Sequence, residues 1–442
     1  MLTAFLRAFR TPDLRKKLLF TLFIIAVFRL GCSLPTPGIS EKAVNACLNV
    51  ASTSGSACLF QLVNLFSGGS LLKLTVFALG IMPYITASII LQLLAVVIPR
   101  LETLRQEGQG GQAKITQYTR YLTIGLGILQ STGVVALAKS APGNLIPGCN
   151  QTLIPHPSIF TISTMVICMT AGTAVIMWLG ELITDRGIGN GMSLMIFTQI
   201  IAVVPGQMEN IYKTKHAVIF AIVLAVGIAT IGFVAFMEQA QRRIPVQYAK
   251  RMVGRKMYGG TSTYIPLKVN QAGVIPVIFA SSMLYIPELA SQLFGKNTAT
   301  SGWSFWINTH LVLGQTAGFD PVYMILFFLL ILFFTYFYVS ITFNPTEVAD
   351  NMKKYGGFIP GIRPGGPTSG YLSYVLSRLT APGSLYLGLV ALIPMIAIGL
   401  VGATQQFPFG GTSILIMVGV GLDTVKQIES QLQQRNYEGF LR

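Results

Sequence analysis

Charged side chains are scarce in this sequence, at 10% of 442 residues against about 25% in a soluble domain. Acidic ones are scarcer still, with 15 Asp and Glu against 31 Lys and Arg. All of the acidic residues fall in connections or close to the ends of apolar runs. Ion-coupled transport, which commonly uses a carboxylate near mid-membrane, therefore lacks its usual residue. The three histidines, His156, His216 and His310, are scattered and read as surface residues rather than ligands. The sequence contains no CxxC, HExxH, GxSxG or Walker A pattern. Metal sites, serine hydrolysis and nucleotide chemistry are left without their residues, and neither catalysis nor a cofactor is expected.

What is abundant is apolar: 52% of the residues are hydrophobic. A helix crossing the hydrocarbon layer needs roughly 20 mostly apolar residues. Ten stretches qualify, near 18–34, 74–98, 117–138, 157–180, 190–205, 216–237, 270–290, 321–342, 382–402 and 410–430. The sequence predicts an all-α polytopic membrane protein with ten transmembrane helices. Arg7, Arg10, Arg15, Lys16 and Lys17 before the first run imitate a signal peptide, but no small-residue cleavage site follows. The run ends at Pro35-Thr36-Pro37-Gly38 and reads as a retained span.

Ten spans put both termini on one side. That side carries 24 of the 31 basic residues and the other carries six, with Arg29 inside the first span. By the positive-inside rule both termini are cytoplasmic. Arg29 either snorkels outward or pairs inside the bundle, and the sequence leaves both open. On this topology Cys32 and Cys168 lie within spans, and Cys47, Cys58 and Cys149 outside. A Cys47–Cys58 disulfide is one reading of the shared loop and oxidising exterior; two free thiols is the other.

Two cytoplasmic segments exceed what anchoring to anionic lipid requires: Gln241 to Arg251 (QRRIPVQYAKR) and Phe358 to Gly365 (FIPGIRPG). Their basic, Pro and Gly residues suggest ordered protruding loops, within 239–268 and 344–380. Such loops suit an acidic protein face or an RNA phosphate backbone, with lipid contact as the other reading. Gly187 to Gly191 and Gly108 to Gly111 follow no strand and read as flexible connections. Within spans, Thr86, Gln130 and Asn270 would each cost energy facing lipid. A shared contact would satisfy them together, and neighbouring backbone would satisfy them separately. Leu59 to Ser70 is half-apolar, too short to cross and ended by a Gly pair, and so reads as a re-entrant half-helix lining a cavity. Ile81 and Ile85 share a helix face, which taken alone is ordinary packing.

The chain resembles the SecY family of protein-conducting channel subunits from the first span to the last. The likeness is carried by Phe66 to Gly69 (FSGG), Phe77 to Ile90 (FALGIMPYITASII), Gln117 to Tyr121 (QYTRY) and Trp178 to Asn190 (WLGELITDRGIGN). Tyr248 to Arg251, Pro266 to Ser282 (PLKVNQAGVIPVIFASS), Phe343 to Pro345, Pro360 to Gly365 and Phe409 to Ser413 (FGGTS) continue it in order. The resemblance implies two inverted five-helix halves, 1–205 and 206–442, closing as a clamshell around an hourglass pore. It implies a constricting ring of Ile81, Ile85, Met192, Ile196, Ile278 and Ile416, with Met192 departing from the usual branched aliphatic residue. A dewetted ring of this kind blocks ions and water yet offers a passing peptide no fixed partner, and Met is flexible enough to keep it tight.

The half-helix, about 59–70 with Phe66, Ser67, Gly68 and Gly69, would be the plug, whose movement loss of Gly68 should hinder. Thr86, Gln130 and Asn270 would lie at a lateral gate. Arg242, Arg243, Arg255 and Arg363 would dock the motor ATPase SecA or the ribosome through its RNA and proteins. SecE and SecG are implied as membrane partners, signal-bearing precursors as cargo, anionic lipids as surroundings and the bacterial cytoplasmic membrane as location. The implied function is passage of unfolded secretory polypeptides across that membrane and lateral release of membrane segments, driven by SecA or the ribosome. A small-solute transporter or a lipid-modifying enzyme would instead need intramembrane charge or catalytic groups.

Overall fold

The computed structural model describes residues 11–54, 67–140, 149, 151–214, 217–248, 251–253, 256–258, 262–294, 321–401 and 411–438. In chain order the elements are α1 (Pro12–Gly31), α2 (Glu41–Ser54), α3 (Met82–Val97), α4 (Pro99–Gln106), α5 (Gln109–Ser140), α6 (Ile159–Arg186), α7 (Gly191–Thr214) and α8 (Ala217–Gln239). Strands β1 (Gln241–Tyr248), β2 (Arg251–Val253), β3 (Lys256–Tyr258) and β4 (Ser262–Lys268) follow. The chain continues through α9 (Ile275–Phe294), α10 (Pro321–Thr342), α11 (Pro345–Lys354), β5 (Gly357–Phe358), α12 (Gly366–Val401) and α13 (Gly411–Glu438).

Among the described residues, five helical stretches are long and apolar enough to cross a membrane: Gly110–Lys139, Ile159–Arg186, Phe220–Gln239, Pro321–Lys354 and Gly366–Ile393. Shorter apolar helices, Met82–Ala95, Gly191–Gly206 and Ile275–Leu284, lie where three further spans were expected. Helix α1 begins with Pro at its first position, where the missing N–H costs nothing. It ends at Gly31, where a Cβ would fall 2.0 Å from the Phe77 ring. That vacancy lets Phe77 stack on Phe28, with ring centroids 5.9 Å apart.

Packing sorts the helices into two groups. α1, α3, α5, α6 and α7 touch one another, as do α8, α9, α10, α12 and α13, and the groups meet where α7 packs on α8 and α13 and where α3 packs on α9. Each group has its own apolar core. One gathers Phe279, Phe327, Ile331, Leu387 and Val390; the other gathers Leu71, Leu74, Val134, Leu153, Met165 and Met169.

Three expectations need correction. The second span does not start at residue 74: Ser67 to Ile81 is a buried series of turns, and helix begins only at Met82. Leu74, Gly68, Gly69 and Gly80 all have positive φ, which no helix accommodates. The Leu74 carbonyl accepts from both the N–H and the hydroxyl of Thr36, so at this point the non-helical backbone is satisfied by the segment that follows α1. Residues 59–66, including Phe66, lie outside the described residues.

Cys47 is bonded not to Cys58 but to Cys149, across 102 residues of sequence, with Cα atoms 5.0 Å apart. Both sulfurs lie in the core that brings α2 against Leu153 and Ile154, so tertiary packing overrode proximity in sequence. Peptide mapping without reduction should recover a Cys47–Cys149 cross-linked pair, with Cys32 and Cys168 as thiols. Recovery of Cys47 and Cys149 as thiols from the oxidised membrane would contradict this.

The fold is also not purely helical. β1 pairs antiparallel with β4 on one side and β5 on the other, giving the order β4-β1-β5. The alternation of Ile244 and Val246, both buried, with exposed Arg243, Pro245 and Gln247 is a half-buried strand pattern. β2 and β3 form a separate two-stranded ribbon.

Candidate functional site

The six residues expected to form a ring come from the starts of four helices. Ile81 caps α3 and Ile85 lies one turn in; Met192 and Ile196 lie in the first two turns of α7, Ile278 in the first turn of α9 and Ile416 in the second turn of α13. The structure places all six in one apolar cluster. Ile81, Ile196, Ile278 and Ile416 are buried, and Ile85 and Met192 pack against them. The cluster's other buried members, among them Ile24, Phe28, Phe77, Ile176 and Ile200, come from the first helix group, and Ile278 and Ile416, with Val274, Met417 and Val420 packed beside them, are the second group's contribution to a seam between the two.

The local sequence explains why α7 delivers Met192 there. Asn190 caps the helix, its Oδ1 accepting from the Met192 N–H at 3.1 Å, and the Thr184 hydroxyl accepts from the Gly191 N–H at 2.9 Å. A Cβ on Gly191 would fall 1.9 Å from the Gly180 carbonyl, and one on Gly180 would fall 2.6 Å from the Met192 sulfur. The segment 187–191, expected to be a flexible connection, is a close-packed joint that aims α7 into the seam.

Thr86, Gln130 and Asn270 are not hydrogen-bonded to one another among the described residues. Thr86 donates to the Met82 carbonyl of its own helix at 3.0 Å. Gln130 is half-buried on α5, the helix packed against α3. Asn270, buried between β4 and α9, donates to Glu238 Oε2 at 2.9 Å and to the Gly273 carbonyl at 3.2 Å. Sequence reasoning missed Glu238. It is the penultimate residue of α8 and only 6% exposed, and its place beside a polar run that was read as loop concealed that burial. Arg120 and Glu181 form a second unforeseen pair, a two-pronged contact at 2.9 and 2.7 Å joining α5 to α6.

The two basic loops form one body. Ile244, Val246 and Leu267 of the first loop share a small core with Met352, Ile359, Leu372 and Val375 of the second. The sheet is therefore a shared platform, with Asn344 capping α11 beneath it. Arg242 and Arg243 are exposed but, as strand neighbours, point to opposite faces; the Arg243 guanidinium lies 4.8 Å above the Tyr264 ring. Arg363 is exposed in the turn between β5 and α12, where the Thr368 hydroxyl donates to its carbonyl at 2.8 Å. Arg255 lies outside the described residues.

Membrane-length helices in two groups, meeting at an apolar seam with a basic platform at one end, define a helical membrane protein of the channel type. The SecY family model matches residues 75–425, and the chain belongs to the SecY family. Over the full length of both chains it is 66% identical to the protein translocase subunit SecY of Streptomyces galbus and 60% identical to that of Mycobacterium tuberculosis strain ATCC 25618 / H37Rv. Its fold is similar to that in a solved structure described as "The structure of a protein conducting channel", with TM-score 0.60 and 18% identity, covering 94% of this chain and 91% of that one. It is also similar to Sec61 in the canine ribosome-channel complex from the endoplasmic reticulum, with TM-score 0.57 and 17% identity over the same shares.

Proposed function

We propose that this chain is the pore-forming subunit of a bacterial protein-conducting channel. It passes unfolded secretory polypeptides across the cytoplasmic membrane and releases membrane segments laterally into it. The observation that carries this reading is the convergence of Ile81, Ile85, Met192, Ile196, Ile278 and Ile416 from four helices in one apolar cluster between two helix groups. A seal of that kind excludes ions by dewetting and parts without breaking any polar contact.

The finer reading follows the two packing groups. Ten spans form two inverted five-helix halves with both termini cytoplasmic, the 67–70 turn belongs to a plug, and Thr86, Gln130 and Asn270 lie along the lateral gate. The Arg242, Arg243 and Arg363 platform, with Arg255 on the same loop, receives SecA or the ribosome. SecE and SecG complete the complex, and the partner ATPase or chain elongation supplies the energy, because the sequence carries no nucleotide motif. The canine relative's capture in a ribosome-channel complex supports the ribosome as a partner.

The test is reconstitution. Vesicles holding the complete complex, given SecA, ATP and a signal-bearing precursor, should render the precursor resistant to added protease, and removal of the signal should abolish the protection. No protection in vesicles that bind SecA would oppose this function.

A further inference from the structure

Arg29, which the sequence leaves open between facing outward and pairing inside, reaches across to the turn at Ser67 to Ser70. Its Nη1 donates to the Gly68 carbonyl at 3.2 Å. The turn is internally braced: the Ser70 hydroxyl donates to the Ser67 carbonyl at 2.7 Å, and the Ser67 hydroxyl accepts from the Leu71 N–H at 3.1 Å. It therefore behaves as one small rigid piece that a single contact can hold.

Gly68, at φ +68°, faces a narrow space bordered by Arg29 and Gln199. A Cβ there would fall 3.3 Å from Arg29 Nη1 and 3.3 Å from both Cα and Cγ of Gln199 on α7. Gln199 lies one turn beyond Ile196 of the apolar cluster and is completely buried. Neither its amide nitrogen nor its amide oxygen has a hydrogen-bond partner among the described residues. A buried amide in that condition raises the free energy of the state that buries it. The two side chains thus act on the turn with opposite signs, Arg29 holding it and Gln199 favouring its departure.

We infer that Arg29 is the positioning residue of the resting plug: its guanidinium holds the 67–70 turn by the Gly68 carbonyl, in a seat also bordered by Gln199, a buried residue whose amide is unpaired among the described residues. This rests on the reading of 67–70 as part of the plug. On release, the Arg29 guanidinium and the Gln199 amide are both freed to meet water or the backbone of a transiting chain. The seated state is poised rather than locked.

The experiment is electrical recording of the complete channel complex in planar bilayers without precursor. Arg29→Ala and Arg29→Gln should each raise the conducting fraction at least about tenfold, near the lower end of what one charged hydrogen bond contributes. Arg29→Lys should restore most of the seal, because an ammonium also donates to a carbonyl. Gln199→Leu, similar in volume and free of polar atoms, should move the other way, lowering the resting conductance and slowing opening by precursor.

Gly68→Val should unseat the turn while leaving the guanidinium in place, since its side chain would crowd Arg29 and Gln199 and strain a positive-φ position; this reverses the expectation, carried by the resemblance alone, that loss of Gly68 hinders the plug's movement. Conduction by Gly68→Val and by both Arg29 truncations, with rescue by Lys, supports the inference. Conduction by Gly68→Val alone overturns the role of Arg29 and leaves the plug reading standing. Sealed channels in all of these variants overturn both. A purely structural role for Arg29 would make Lys fail along with Ala and would leave Gln199→Leu without an opposite effect.

Discussion

Arg363→Glu should leave the chain folded and in the membrane while precursor-stimulated ATP hydrolysis by SecA falls by at least tenfold. The loop around Arg363 is shaped by backbone: Gly361 and Gly365 have φ of +83° and +105°, and Thr368 binds the Arg363 carbonyl rather than its side chain. The exposed guanidinium can therefore be replaced without disturbing the core of Ile359, Leu372 and Val375 beneath it. Reversal changes the local charge by two units where a partner's acidic surface is expected to dock. Losing one member of a desolvated interfacial pair costs about 2–5 kcal/mol, which spans roughly thirtyfold to several thousandfold. Arg363→Lys should fall between, because a point charge cannot reproduce the planar fork of the guanidinium. Lys353→Glu, on the last turn of α11, makes the same charge change elsewhere on the platform and separates a requirement for Arg363 from a loss of overall positive charge. Undiminished hydrolysis with Arg363→Glu would remove the platform from the docking account.

Ile278→Asn should make the resting channel conduct ions at least ten times more than the parent, whereas Ile278→Leu should not. Ile278 is 9% exposed and packs among Ile81, Ile196 and Ile416. On the proposed reading the cluster is a constriction kept dry by branched aliphatic side chains, and the amide of Asn would hold water in it. The backbone at this site has its own support, since the Ser281 hydroxyl donates to the Ile278 carbonyl at 2.9 Å. The substitution therefore changes the chemistry of the seal more than the course of α9. Leu keeps the volume and the apolarity, so it separates polarity from shape. Equal resting conductance in the Asn and Leu variants, with export intact in both, would move the seal away from this cluster.

The class of the protein was legible in its composition, because long apolar runs with charge confined to their ends have few uses outside a bilayer. That Ile81, Ile85, Met192, Ile196, Ile278 and Ile416 share one cluster was legible only through the family's motifs. Ile81 and Ile85 lie four apart like many core pairs, and nothing in their spacing announces Met192 or Ile416 as neighbours. Residues 67–81 misled for a physical reason: the stretch is apolar enough for a span, but its backbone alternates glycines and a leucine at positive φ and folds as turns. Hydropathy is blind to that. The Cys47–Cys149 bond was hidden because distance along the chain says little once α2 packs on the segment before α6.

The platform was half legible. The basic, Pro-rich composition of 241–251 and 358–365 signalled ordered loops, but their union in one sheet over one core depends on pairing between residues more than a hundred positions apart, as between Gln247 and Phe358. Strand alternation in Arg243 to Gln247 is present in the sequence, but the segment's basic and Pro residues read equally well as a loop. Glu238 escaped notice because a carboxylate at a helix end normally meets water, whereas here the chain returns at Asn270 to hydrogen-bond it.

The most direct test of the channel account is site-specific photo-crosslinking from Ile278, inside the apolar cluster, and from Leu329 on α10, which is 55% exposed on the outer surface of the helix group. A secretory precursor would be stalled in mid-passage through reconstituted vesicles. The account predicts crosslinks to the precursor from position 278 and none from 329. Vesicles that translocate the precursor yet give no crosslink from 278 would contradict a polypeptide path through this seam.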